Sequence, residues 1–105
     1  MQKAVDDWFK DIKGDYWNPQ SMGLRMAEEV GELSKAINNK YGDRPSKAGE
    51  TEGLEAIKEE LGDILFTACC IANKLEIDLG EAFKIIMEKY KIRDKDRHSK
   101  LEDKA

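Results

Sequence analysis

Several absences narrow this 105-residue chain before any motif is read. Histidine occurs once, at His98, and cysteine only at the adjacent pair Cys69 and Cys70. Neighbouring helical residues point about 100° apart and seldom pair, so no disulfide scaffold is expected. With one histidine and no second cysteine pair, a zinc site is not expected either. The two thiols are expected to be buried small hydrophobes. Proline occurs only at Pro19 and Pro45, both in segments that read as loops. No apolar run reaches the roughly 18 residues of a membrane span, and the opening MQKAVDDWFK holds no apolar signal region. An excess of basic charge is also missing: 18 Lys and Arg stand against 22 Asp and Glu, a net charge of −4. Binding to nucleic acid or to an anionic membrane needs a positive surface field, which this balance does not supply. The expectation is one small cytoplasmic domain.

What is present is helical periodicity. Val5, Trp8, Phe9 and Ile12 recur at i, i+3, i+4, i+7, and Gly14 reads as a stop. DYWNPQ, residues 15–20, reads as an aromatic loop, with Ser21 as N-cap of a second helix striped by Met22, Met26, Val30, Leu33 and Ile37. Residues 38–53 carry three glycines, one proline and no apolar periodicity, which reads as a long loop. A third helix is expected from about Leu54 to Leu75, and a fourth begins after Asp78, whose spacing to Glu81 is a capping-box variant. No alternating strand pattern of useful length occurs. Ten charges in residues 91–105 read as a frayed helix end or a flexible tail. The fold class expected is all-α, a four-helix bundle. ILFTACCIA, residues 64–72, is apolar on every side except at Thr67, and a helix apolar all round must be covered all round. A homo-oligomer is therefore expected.

Two acidic clusters stand out from the ordinary solvated charges. In RMAEEVGEL, Glu28, Glu29 and Glu32 crowd into one turn and a half. At 100° per residue Glu29 falls about 20° from Met22 and about 40° from Leu33, on the edge of the apolar stripe. Glu32 follows at i+3, where like charges repel by a few tenths of a kcal/mol. In IKEELGDILF the pair Glu60 and Asp63 repeats the spacing, just before the helix turns apolar. Gly31 and Gly62 fall between the acids of each pair; glycine costs a helix interior about 1 kcal/mol relative to alanine, which suggests close helix approach or room for a ligand. If the two helices run antiparallel, four carboxylates converge, and they repel unless protonated or bound to cations. Oxygen-only ligands suit Mg²⁺ or Mn²⁺. A di-iron bundle would use Glu-x-x-His pairs, which this chain lacks.

Glu28-Glu29-Val-Gly-Glu32 followed by Glu60-Leu-Gly-Asp63 resembles the EExxE…ExxD signature of MazG-type nucleotide pyrophosphohydrolases. These belong to the all-α NTP pyrophosphatases, with the dimeric dUTPases and phosphoribosyl-ATP pyrophosphatase. LRMAEEVGELSKAI, EELGDILFTACCIAN and MEKYKIRDKDR are similar to family segments, and the resemblance spans residues 5–97. It divides the chain into a MazG-like domain, 1–97, and a charged tail, 98–105.

The resemblance implies cleavage of a (d)NTP between its α- and β-phosphates to a monophosphate and pyrophosphate, with the clearing of aberrant or surplus nucleotides as one role. By motif it makes Glu29, Glu32, Glu60 and Asp63 the Mg²⁺ ligands, with Mn²⁺ as substitute, and adds Glu28 to the catalytic set as an outward residue that orients water or merely solvates the surface. Lys89 and Arg93 occupy basic phosphate-side positions; both could equally be solvent-facing. Many relatives carry Asn where this chain has Met87, which bears on the sugar and phosphate contacts. Trp17 and Asn18 stand where relatives hold the base, although a tryptophan there could serve as a core anchor. Lys40, Arg44 and Lys47 could close over a triphosphate. A homodimer or homotetramer is implied, with no nucleic-acid partner. The alternatives are a hydrolase of another phosphorylated metabolite and a non-catalytic helical interaction module.

Overall fold

In a computed structural model the described residues are 1–42 and 50–103, the side chains of 50–52 and 98–103 excepted. Four helices account for nearly all of them: α1 (Gln2–Asp11), α2 (Pro19–Tyr41), α3 (Glu50–Lys74) and α4 (Leu79–Asp103). No strand occurs among the described residues. No helix there is long and apolar enough to cross a membrane.

The helix ends follow from local chemistry, not always at the residues the sequence suggested. Asn18, not Ser21, caps α2: its Oδ1 accepts from the Ser21 amide at 2.8 Å, and Pro19 fills the first turn, where a missing N–H costs nothing. α1 stops in a Schellman turn, with the Gly14 amide donating to the Phe9 carbonyl at 2.9 Å and Lys13 to Lys10 at 3.1 Å. The left-handed residue is Lys13, at φ 53°, rather than Gly14. α3 ends the same way: Ile77 N–H donates to the Ala72 carbonyl at 2.8 Å, and Glu76 is left-handed at φ 57°. Asp78 caps α4 as expected, its Oδ1 accepting from Gly80 at 2.9 Å and Glu81 at 3.3 Å. α2 runs on to Tyr41 and α3 starts at Glu50, so the connection is shorter than the periodicity indicated. Arg44 and Lys47 lie outside the described residues. α4 continues to Asp103, into the charged segment that reads as a tail.

α2 and α3 form the main packed pair, and α1 lies against α3. The pair is antiparallel, since Lys40 on α2 meets Gly53 on α3 while Glu29 meets Glu60 and Asp63. The core is small: Met22 (2% exposed), Cys69, Cys70 and Ala72, with the buried Thr67 hydroxyl donating to the Asp63 carbonyl at 2.9 Å. Burying a methionine of this kind contributes about 1.5–3 kcal/mol. Of the two readings of Gly31 and Gly62, close helix approach does not occur among the described residues, because a Cβ at either would meet nothing within 4 Å of it. Gly31 faces away from Glu29 and Gly62 from Glu60, two positions along the helix being about 200° of rotation, while each lies about 100° from the acid that follows it.

A polar clamp ties the ends together. Gln2 Nε2 donates to Asn73 Oδ1 at 3.0 Å and to the Ile77 carbonyl at 2.7 Å, while Gln2 Oε1 accepts from the Leu79 amide at 2.7 Å. Asn73 Nδ2 donates to the Gln2 carbonyl and to Tyr16 Oη, each at 3.0 Å, and Tyr16 Oη donates to Asp6 at 2.8 Å. That hydroxyl, then Lys10, holds Asp6 below the usual carboxylate range. The clamp fixes where α4 begins. Beyond it α4 makes only marginal contact with the other helices, and Phe83 (66% exposed), Ile86, Met87 and Tyr90 stay uncovered.

Candidate active site

Two features meet where α2 crosses α3. The first is a carboxylate cluster. The i, i+3 spacing puts Glu60 and Asp63 on one face of α3, and the antiparallel register brings Glu29 of α2 opposite them. One oxygen from each of Glu29, Glu60 and Asp63 lies within 4.8 Å of the others. Glu29 and Glu60 are half-buried and Asp63 is exposed. Glu32 stands further out, yet its charge is still felt at Glu60. Glu28 is exposed and joins no such group.

The electrostatics of the cluster centre on Glu60. Burial first, then the charges of Glu29 and Asp63, push its carboxyl above the ordinary value of 4.5. Its Oε2 is buried and, among the described residues, has no hydrogen-bond partner. A buried unpaired carboxylate oxygen is costly. Glu29 is within hydrogen-bonding reach, but two ionised carboxylates hold no proton to share. Either a proton or a cation relieves this arrangement, and an all-oxygen donor set fits a hard divalent ion.

The second feature is a cavity of about 400 Å³ bounded by Trp8, Phe9, Tyr16, Trp17, Arg25 and Phe66, with Thr67 and Cys70 at its base. Its walls are an aromatic cluster: Phe9 and Tyr16 lie 4.4 Å apart and tilted, Trp8 and Phe66 5.8 Å apart edge to face, and Phe9 stacks on Phe66 at 6.3 Å. Trp17 is 57% exposed, so it is not a core anchor. Asn18 is exposed, and its side-chain oxygen is committed to the α2 cap.

Arg25 joins the two features, and the sequence does not single it out. Its Nη2 lies 3.8 Å from Glu29 Oε1, and its Cζ stands 5.3 Å from the Trp17 ring centroid. Its trace in the sequence is the i, i+4 spacing to Glu29, one turn upstream of the acids rather than between them. Lys89 and Arg93 are not brought to the carboxylates: among the described residues no ion pair links them, and Arg93 instead covers the Tyr90 ring at 4.7 Å.

The family described as the MazG nucleotide pyrophosphohydrolase domain matches residues 17–98. YpjD of Bacillus subtilis strain 168, an uncharacterized protein, is 42% identical over 103 residues, covering 98% of this chain and 91% of its own length. The crystal structure of Bacillus subtilis YpjD superposes with a TM-score of 0.70 at 39% identity, covering 85% of this chain and 86% of that one. A Bacillus-conserved MazG protein, a nucleotide pyrophosphohydrolase, superposes with a TM-score of 0.71 at 41% identity over 86% and 84% of the two chains. Both acidic pairs lie inside the matched span, on a fold shared with solved relatives, and this chain therefore belongs to the MazG family of nucleotide pyrophosphohydrolase enzymes.

Proposed function

We propose that the chain is a Mg²⁺-dependent nucleoside triphosphate pyrophosphohydrolase that cleaves a (d)NTP between its α- and β-phosphates. The observation that carries this is the buried, unpartnered Glu60 Oε2, set in a carboxylate trio beside an aromatic cavity. Glu29, Glu60 and Asp63 would hold the ion, with Glu32 as a further ligand as the triphosphate arrives. Mn²⁺ would substitute. Such an ion, when bound, neutralises the triphosphate and lowers the pKa of the attacking water. Glu28 faces solvent and orients outer water at most.

The cavity has the size and apolar walls that suit a nucleobase, and Trp17 offers an exposed ring for stacking. With its oxygen turned to the cap, Asn18 has its amide N–H groups free to present to the base edge. Clearing of aberrant or surplus nucleotides is one role such an activity would serve.

Lys89 and Arg93 enter this proposal through assembly. The uncovered apolar face of α4, and the small stripe Gly23, Ala27 and Gly31 at i, i+4, i+8 on α2, suit a second copy of the chain. In a homodimer or homotetramer α4 would bring its basic residues to a neighbour's acids. Light scattering at micromolar concentration tests this, and a monomeric mass would count against it.

The decisive experiment is pyrophosphate release from a panel of standard and modified (d)NTPs with Mg²⁺, Mn²⁺ or EDTA. Metal-dependent pyrophosphate with a monophosphate product supports the proposal and ranks the bases. Silence across the panel redirects it to another phosphorylated metabolite.

A further inference from the structure

We propose that Arg25 makes this site accept a divalent ion bound to a polyphosphate in preference to the bare ion. The inference rests on the metal reading above and gives a task to a residue that has none in it.

Arg25 stands on α2 one turn before Glu29, at the boundary between the cavity and the cluster. Its guanidinium lies 3.8 Å from a Glu29 oxygen, and the Glu29 side chain is only 14% exposed. The Trp17 ring, 5.3 Å from Cζ, backs it from the other side. Arginine stays charged at any working pH, so this is a fixed positive charge. In the chain without ligand it offsets part of the repulsion among the acids.

A bare ion at Glu29 must share that carboxylate with the guanidinium and meets a like charge at close range. An ion carrying a polyphosphate arrives with surplus negative charge. The guanidinium then has phosphate oxygens to donate to, and its planar fork suits them. The same residue therefore opposes one form of the metal and favours the other. A lysine keeps the charge but not the fork. Selection of this kind keeps the carboxylates from being occupied by free divalent ions between substrates.

The test pairs two titrations of the full chain by calorimetry, one with Mn²⁺ alone and one with Mn²⁺ plus inorganic tripolyphosphate, a probe that does not depend on which base is preferred. Arg25→Gln should tighten Mn²⁺ alone by about threefold, the scale of a partly exposed ion pair. The same substitution should weaken Mn²⁺–tripolyphosphate by about tenfold, the scale of a charge-assisted hydrogen bond lost. Arg25→Lys should match the wild type with Mn²⁺ alone and recover only part of the tripolyphosphate affinity. Opposite signs in one variant are what a residue needed only for folding cannot give, since damage to the fold weakens both. Shifts of the same sign, or none, in Arg25→Gln overturn the inference while the metal reading stands. A wild-type chain that takes up no Mn²⁺ in either titration overturns both.

Discussion

Gln2 and Asn73, 71 positions apart, clasp one another: Gln2 Nε2 donates to Asn73 Oδ1 at 3.0 Å, and Asn73 Nδ2 returns a bond to the Gln2 carbonyl at 3.0 Å. The contact closes the end of α3 over the start of α1, and through the Leu79 amide it sets the origin of α4.

Asn73→Ala should therefore reach well beyond its own turn. It removes one bond to Tyr16 and two to Gln2, leaving part-buried donors and acceptors unmade, and about 2 kcal/mol of stability should go with them. Urea unfolding at pH 7 measures this. A loss confined to a few tenths of a kcal/mol would mean that water replaces the clamp freely.

Glu60→Gln should sharply lower activity and yet stabilise the metal-free chain. The folded state raises the proton affinity of Glu60, so folding takes up a proton there. That contribution is complete below the ordinary glutamate value of 4.5 and is lost as pH rises from there through the elevated folded value. The wild type without metal should lose thermal stability across that window, and Mg²⁺ should restore it. In the Glu60→Gln variant both dependences should shrink, what remains coming from Asp6 and from Glu29 and Asp63, and turnover should fall about a hundredfold or more as the ion is held less well. Differential scanning fluorimetry against pH, with and without Mg²⁺, checks both signs.

Trp17→Ala should separate binding from folding. Its ring is more than half exposed, so the melting temperature should move little. A stacking contact is worth about 1–3 kcal/mol per base, so KM should rise about tenfold or more. Equal KM values in the two proteins would remove Trp17 from the base site.

Glu76→Gly should stabilise the chain by about 1 kcal/mol, because φ of 57° is a conformation that costs a side-chain-bearing residue about that much and glycine nothing. Thermal unfolding of the variant, in the presence and absence of Mg²⁺, should show the same gain in both.

The helices and the two acidic pairs were legible because both are periodic signals, and a period survives without knowledge of the partner. Spacing singles out four acids, Glu29, Glu32, Glu60 and Asp63, and the antiparallel register of α2 and α3 brings three of them, Glu29, Glu60 and Asp63, within reach of one another. Helix ends were harder. Pro19 reads as part of a loop although proline is at home in a first turn, and Lys13 shows that a left-handed stop need not fall on the adjacent glycine. Gly31 and Gly62 signal bare backbone, but sequence cannot say whether anything approaches it. The face of α4 has the same ambiguity, since an apolar stripe announces a cover without naming the chain that supplies it. Arg25 leaves little mark in the sequence because what sets it apart is its place between Trp17 and Glu29, which only the folded chain brings to either side of it.

The burial of the two cysteines has a use outside catalysis. Cys69 is 1% exposed and Cys70 6%, at the heart of α3, and burial pushes the Cys70 thiol above its ordinary value. Cys70 forms little thiolate but lines the aromatic cavity, so Cys69 is the thiol that reacts only when its surroundings part. The protein thus carries an internal clock: the rate at which a disulfide reagent modifies Cys69 reports how often the central helix comes away from its neighbours, with no label added and no residue changed.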